Sequence, residues 1–213
     1  MQRKRHQQEV IARAPVHFHT YTMLSLGIDP DTTDTAFAWW EKDGPVSAHV
    51  AHVVRKKGVT GADILIHTAH EIRRAATYHR SSTLKWPVVV AVEGQQIDGR
   101  KAKPASLFQL AQVAGMCISH VQERYQRDDL TLYIPTPTEW KGQVPKHAHQ
   151  ARLYDDLGWG YEVIGGRKGS TQKGSYARPL DPPKEFNHIK AGQWKHVGDA
   201  LALAKWAYEQ GPK

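Results

Sequence analysis

Three acids and a histidine stand where the chain can least accommodate a charge. The stretch LGIDPDTTDTAFAWW, residues 26–40, carries Asp29 at the close of an apolar run. A second run, WPVVVAVE, ends on Glu93, and HVGDALAL sets Asp199 among small apolar residues with His196 three positions earlier. Each has an ordinary reading when taken alone. Asp29 before Pro30 suits a turn, Glu93 before Gly94 suits an exposed strand end, Asp199 suits a first helical turn, where the dipole favours an acid, and His196 suits a cap. Their joint pattern suggests a single site. Like charges about 4 Å apart repel by roughly 4 kcal/mol at an effective dielectric of 20, so three converging carboxylates need protonation or a cation. Oxygen donors suit Mg²⁺ or Mn²⁺, and two such ions about 3.5–4 Å apart can hold the attacking and leaving oxygens of a phosphodiester. His196 projects from the same helical face as Asp199 and can serve as ligand or proton acceptor.

For the acids to meet, the elements carrying them must be neighbours. Strand-like runs are expected at 22–28, 35–41 and 46–54, the last two joined by the turn EKDGP through Asp43, Gly44 and Pro45. Helical period over 60–79 places Ile64, Thr68, Ile72, Ala75 and His79 on one face. The β-branched run ending at Glu93 reads as a strand buried on both sides. Pro104 then opens a helix with the stripe Leu107, Leu110, Ala111, Ala114, Ile118 and Val121. LTLYIP at 130–135 is a fifth strand, Pro145 opens a helix that Gly158 stops, and HVGDALALAKWAY is a closing helix. Residues 160–195 show no period and much Gly, Pro and Lys, which predicts a long basic loop. The order implies an α/β protein: a mixed five-stranded sheet, its first three strands antiparallel, with helices on both faces. Residues 1–20 read as a flexible basic arm and 21–213 as one domain.

The bulk composition agrees with a polyanionic partner. The formal net charge is +8 and the sequence pI near 9.5, and nucleic acid is the commonest such partner. The single Cys117 excludes an internal disulfide and a multi-thiolate zinc site, and fits a reducing compartment. No apolar run approaches the roughly 20 residues that span a bilayer, so a cytoplasmic protein with no membrane partner is expected.

These motifs, in this order, resemble the RuvC family of Holliday-junction resolvases. LGIDPDTTDTAFA is similar to the family's first-strand motif, VVVAVEGQQ to its second acidic strand, and ASLFQLAQVAGMCISHV to the helix that follows. PTPTEWKGQVPKHAHQARL is similar to its basic segment and HVGDALALAKWA to its acidic terminal helix. The resemblance covers roughly residues 22–158 and 196–209. It implies a ribonuclease H-like fold, Asp29, Glu93, His196 and Asp199 as catalytic and metal-binding residues, and two Mg²⁺ per site, with Mn²⁺ as a substitute. It implies a homodimer, with residues 104–125 at its interface, that nicks opposing strands of a four-way junction symmetrically. Lys141 and Lys146 become candidates for phosphate contact. Arg167, Lys168 and Lys173, with Tyr176, Phe186 and Trp194, are expected to contact DNA from the 160–195 loop. Asp31 and Gln96 depart from the family pattern, which has Gly and an aromatic there. Rival readings are another nuclease of this fold acting on flaps, branched DNA or RNA, a non-catalytic branched-DNA binder, and an actin-like ATPase, for which the chain is too short.

Overall fold

The computed structural model describes residues 23–53, 61–76, 88–94, 104–125, 130–165 and 174–212. The basic arm, Gln96, Arg167, Lys168 and Lys173 lie outside them. Five strands, β1 (Leu24–Asp29), β2 (Asp34–Glu41), β3 (Gly44–His52), β4 (Val88–Val92) and β5 (Thr131–Tyr133), form one sheet in the order β3-β2-β1-β4-β5. β2 pairs antiparallel with both β1 and β3, whereas β4 runs parallel to β1 and β5 parallel to β4. The expected mixed sheet is therefore present, with β1 and β4 side by side.

Alternation along β1 and β4 decides what each face of the sheet does. Leu24, Leu26 and Ile28 of β1 pack with Val90 and Val92 of β4 under α1 (Gly61–Ala76) and α2 (Pro104–Tyr125). The other face of β4 offers Val89 and Ala91 to α5 (Trp194–Gln210), with α4 (Lys146–Asp156) beside it. On that face β1 presents Ser25, Gly27 and Asp29, a set with almost no bulk. The reason is the closeness of α5: a Cβ on Gly27 would lie 2.1 Å from Ala200 O and 2.4 Å from Ala204 N. Ser25 Oγ donates to Ala204 O at 2.7 Å, and Ala200, Ala204 and Ala207 are fully buried on this side.

The β2–β3 turn is tighter than expected. Glu41 pairs with Gly44, so Lys42 and Asp43 form the whole loop, and Gly44 supplies φ +125°. Pro45 falls within β3, where an edge strand tolerates a missing N–H. On α1, Thr68 and Ile72 are buried as the spacing predicts; the side chains of Ile64, Ala75 and His79 lie outside the description. Of the expected α2 stripe, Val121 is buried and Ala114 and Ile118 are half-buried against the core, but the most buried line is rotated from it. Val113, Cys117 and Val121 face the sheet, Leu107 and Leu110 are half-buried, and Ala111 is exposed.

The largest correction concerns residues 160–195. Instead of an aperiodic loop, the described parts contain a second sheet of β6 (Tyr161–Ile164) and β7 (Tyr176–Pro179), then 3-10 turns at Lys184–Phe186 and Ala191–Gln193. Phe186 and Trp194 are not placed to meet DNA: both are buried, packed with Trp159 at ring-centroid distances of 5.2 and 6.4 Å. An aromatic in a basic, Gly-rich stretch has two uses, and here core packing under short strands takes both rings. Sequence inspection also missed α3 (Pro137–Lys141), a single turn in which Thr136 N donates to Glu139 Oε2 at 2.6 Å. Among the described residues, no helix is long and apolar enough to cross a membrane.

Candidate active site

The face that admits α5 also gathers the acids. Asp29 ends β1 on the Ser25–Gly27 side, and Glu93 follows β4 on the Val89–Ala91 side, so both carboxyls emerge at the carboxyl ends of adjacent parallel strands. The Glu93 N–H donates to Ile28 O at 2.9 Å, which extends the ladder one step and fixes the register. Such strand ends, where connections diverge to opposite sides of a sheet, are the usual binding crevice of open α/β folds. Asp199 arrives from α5. One ligand atom from each of Asp29, Glu93 and Asp199 lies within 4.8 Å of the others, and all three residues are at most 9% exposed.

Four further side chains hold this cluster. His196 Nδ1 lies 2.9 Å from Asp29 Oδ2, so with an ionised acceptor the proton sits on Nδ1. His196 Nε2 is buried and has no hydrogen-bond partner among the described residues. Lys146, at the first turn of α4, reaches Asp199 Oδ2 at 2.6 Å. Lys141, at the end of α3, lies 3.4 Å from Glu93 Oε1 and 3.8 Å from Asp199 Oδ2, with its ammonium 4.7 Å from the centre of the Trp140 ring. Gln150 closes the rear of the site, donating from Nε2 to Asp199 Oδ1 at 2.9 Å.

The protonation pattern follows from these contacts. Burial opposes the charge on Asp29, but the His196 hydrogen bond and the Lys146 ammonium outweigh it and hold the carboxyl below its ordinary range. Glu93 goes the other way: burial, then the neighbouring Asp29 charge, push its pKa up to about 8 against the partial relief from Lys141. Burial alone would lower Lys146, yet Asp199 and Asp29 more than compensate and its pKa is raised. The metal-free cluster thus keeps one carboxyl neutral and neutralises others with lysine. A hard divalent cation meets the same need with three oxygen donors already converged, so the residues present fit such an ion.

Each predicted acid therefore comes to one place, with His196, Lys141 and Lys146 beside them. His196 touches Asp29 and stands outside the trio of converged ligand atoms. Asp31 stays apart, as a turn residue: its Oδ1 accepts from Thr33 N at 2.8 Å and Asp34 N at 3.2 Å. Asp34 pairs with His52 at 2.7 Å. Gln150 was not anticipated. The available signals were its place one turn after Lys146, so that both share a helical face, and Gly198 inside a helix, a costly residue unless something approaches closely. A Cβ at Gly198 would lie 2.5 Å from Tyr154 Oη and 2.9 Å from Gln150 Nε2.

An α/β sheet with two carboxylates at the ends of its central parallel strands, joined by a third from the helix that crosses them, defines a class of fold and a candidate metal centre. Among solved structures, RuvC from T. thermophilus in complex with a Holliday junction substrate superposes with TM-score 0.53 and 14% identity, over 90% of this chain and 99% of that one. A second Thermus thermophilus RuvC structure gives TM-score 0.50 and 17% identity, over 90% and 100%. The chain has the ribonuclease H-like fold of these structures. No protein-family model and no curated protein matches it.

Proposed function

We propose that this chain is a metal-dependent endonuclease that nicks four-way DNA junctions, working as a homodimer. The observation that carries the reading is the convergence of Asp29, Glu93 and Asp199 within 4.8 Å on the face where Lys141 and Lys146 also point. Asp29, Glu93 and Asp199 would hold Mg²⁺, or Mn²⁺ in its place, with His196 as a further ligand or as the group that fixes Asp29. When bound, the cation supplies an activated water and offsets charge on the phosphoryl oxygens.

The chain's own residues do the rest. The His196 Nδ1–H fixes the Asp29 carboxylate in its ionised form. Glu93 gives up the proton that burial had kept on it. Lys141 and Lys146, released in part from the acids, set positive charge beside the scissile phosphate, where it counts most as negative charge develops. Water adds to phosphorus and gives up a proton, the P–O3′ bond breaks, and the departing 3′ oxygen gains one, so that the net step moves a proton from water to the 3′ hydroxyl and leaves a 5′ phosphate. A pair of such sites related by two-fold symmetry could engage equivalent strands of a four-way junction.

The test is incubation with Mg²⁺ and four-way, flap and duplex DNA in parallel. Paired symmetric nicks confined to the junction support the reading. Cleavage of flaps or duplex instead transfers the site to another nuclease of this fold, and metal-independent binding without cleavage makes the protein a junction binder.

A further inference from the structure

Gln150 does more than close the site. Its side chain is 0% exposed and uses every polar atom. Nε2 donates to Asp199 Oδ1 at 2.9 Å and to Lys195 O at 3.1 Å, and Oε1 accepts from Ala177 N of β7 at 2.9 Å. One amide therefore ties α4, the start of α5 and the β6–β7 sheet to a single carboxylate. Its orientation has no freedom: exchanging Oε1 and Nε2 would face two donors at Ala177 and two acceptors at Asp199 and Lys195. Asp199 shares the load between two partners, Oδ1 taking the Gln150 amide and Oδ2 the Lys146 ammonium. α5 has given up a side chain at Gly198 to admit this amide.

We propose that Gln150 is a positioning residue that couples the β6–β7 sheet to the cation site by fixing the Asp199 carboxylate. The inference rests on the reading of Asp29, Glu93 and Asp199 as a cation site. By linkage, whatever ordering of β7 the cation favours, β7 returns as cation affinity by the same factor. A buried Gln serving only as core filling has no such consequence, because a side chain of equal volume would replace it. The route is short and physical, two hydrogen bonds through one side chain.

Two measurements test it on the full chain. In the first, Mn²⁺ is titrated calorimetrically into wild type and Gln150→Met, which keeps the volume and removes donor and acceptor. We expect about tenfold weaker Mn²⁺ binding, the low end for loss of a group that orients a metal ligand, with the far-ultraviolet spectrum unchanged. In the second, exchange of the Ala177 amide is followed by NMR in wild type with and without saturating Mg²⁺, the diamagnetic counterpart of Mn²⁺. Exchange there should slow severalfold on cation binding, because closing the Gln150 relay suppresses local opening. Equal Mn²⁺ affinity in the variant together with unchanged Ala177 exchange overturns the coupling. Should the variant not fold, the wild-type exchange experiment decides alone. A wild-type protein that takes up no Mn²⁺ at all overturns the cation-site reading itself, a result separate from either of these.

Discussion

Asp29 and Glu93 are adjacent carboxyls driven in opposite directions by their partners. His196 and Lys146 favour the charged form of Asp29, whereas Glu93 is left with burial and the Asp29 charge and is pushed up to about 8. The sign of the resulting pH dependence is fixed. A carboxyl whose folded pKa exceeds its ordinary value of 4.5 binds more protons folded than unfolded, so metal-free stability falls as pH rises from about 4.5 to about 8. Asp29 acts oppositely and only in acid, where stability is lost as pH drops below its ordinary range. Thermal unfolding in EDTA between pH 5 and 8.5 should show the decline, Glu93→Gln should flatten it, and saturating Mg²⁺ should abolish it by expelling the proton. Asp29→Asn removes a central carboxylate, and junction nicking should fall about a thousandfold, equivalent to about 4 kcal/mol of transition-state stabilisation. Gel assays at normal Mg²⁺ measure this, and robust cutting by the variant would remove Asp29 from the proposed machinery. The acids were legible as residues because each interrupts an apolar run. The hydrogen bond between His196 and Asp29 was not, since partners 167 positions apart depend on how α5 crosses β1.

At the scale of elements, the site exists because α5 approaches β1 closely enough for Asp199 to meet Asp29. Gly27 permits that approach, and Gly27→Ala puts a methyl against the α5 backbone, which cannot move as a flexible side chain would. Overpacking of this kind costs about 1–3 kcal/mol, and here it acts on the helix that carries two site residues. Urea unfolding should show the loss, with nicking reduced beyond what the unfolded fraction accounts for. α2 offers a different test. Its buried line is Val113, Cys117 and Val121, while Phe108 is 66% exposed. If residues 104–125 form the homodimer interface proposed above, Phe108→Glu should shift sedimentation towards monomer and leave the melting temperature of the subunit little changed; an unaltered dimer places the interface elsewhere. Strand and helix positions in the main sheet could be read from period because each element there has one clear face or is buried on both. β6 and β7 could not. Four residues each, with Tyr, Glu, Arg and Pro among them, give no period to count, and their stability comes from α4 and α5 packing against β7 rather than from local preference.

Over the whole molecule, a formal charge of +8 has to be reconciled with an acidic centre. Lys141 and Lys146 are engaged by the acids, so they neutralise the site before they can attract DNA. Long-range attraction must come from cations elsewhere, and the segment joining β6 to β7 carries Arg167, Lys168 and Lys173 in sequence. Under the proposed function these three residues contact backbone phosphate. Each contact releases about 0.9 counterion from duplex DNA, so replacing all three with Ser should make the slope of log affinity against log salt shallower by up to about 3. Affinity should fall most at low ionic strength, where released counterions count for most, and the loss should be similar for any junction sequence because phosphates carry no base information. Nicking rate at saturating junction should change little, since the acids and their lysines are untouched. Fluorescence anisotropy with a labelled four-way junction between about 50 and 200 mM salt resolves a slope change of that size. An unchanged slope would exclude the β6–β7 connection as a phosphate-binding element and shift the search to the remaining basic residues of the chain.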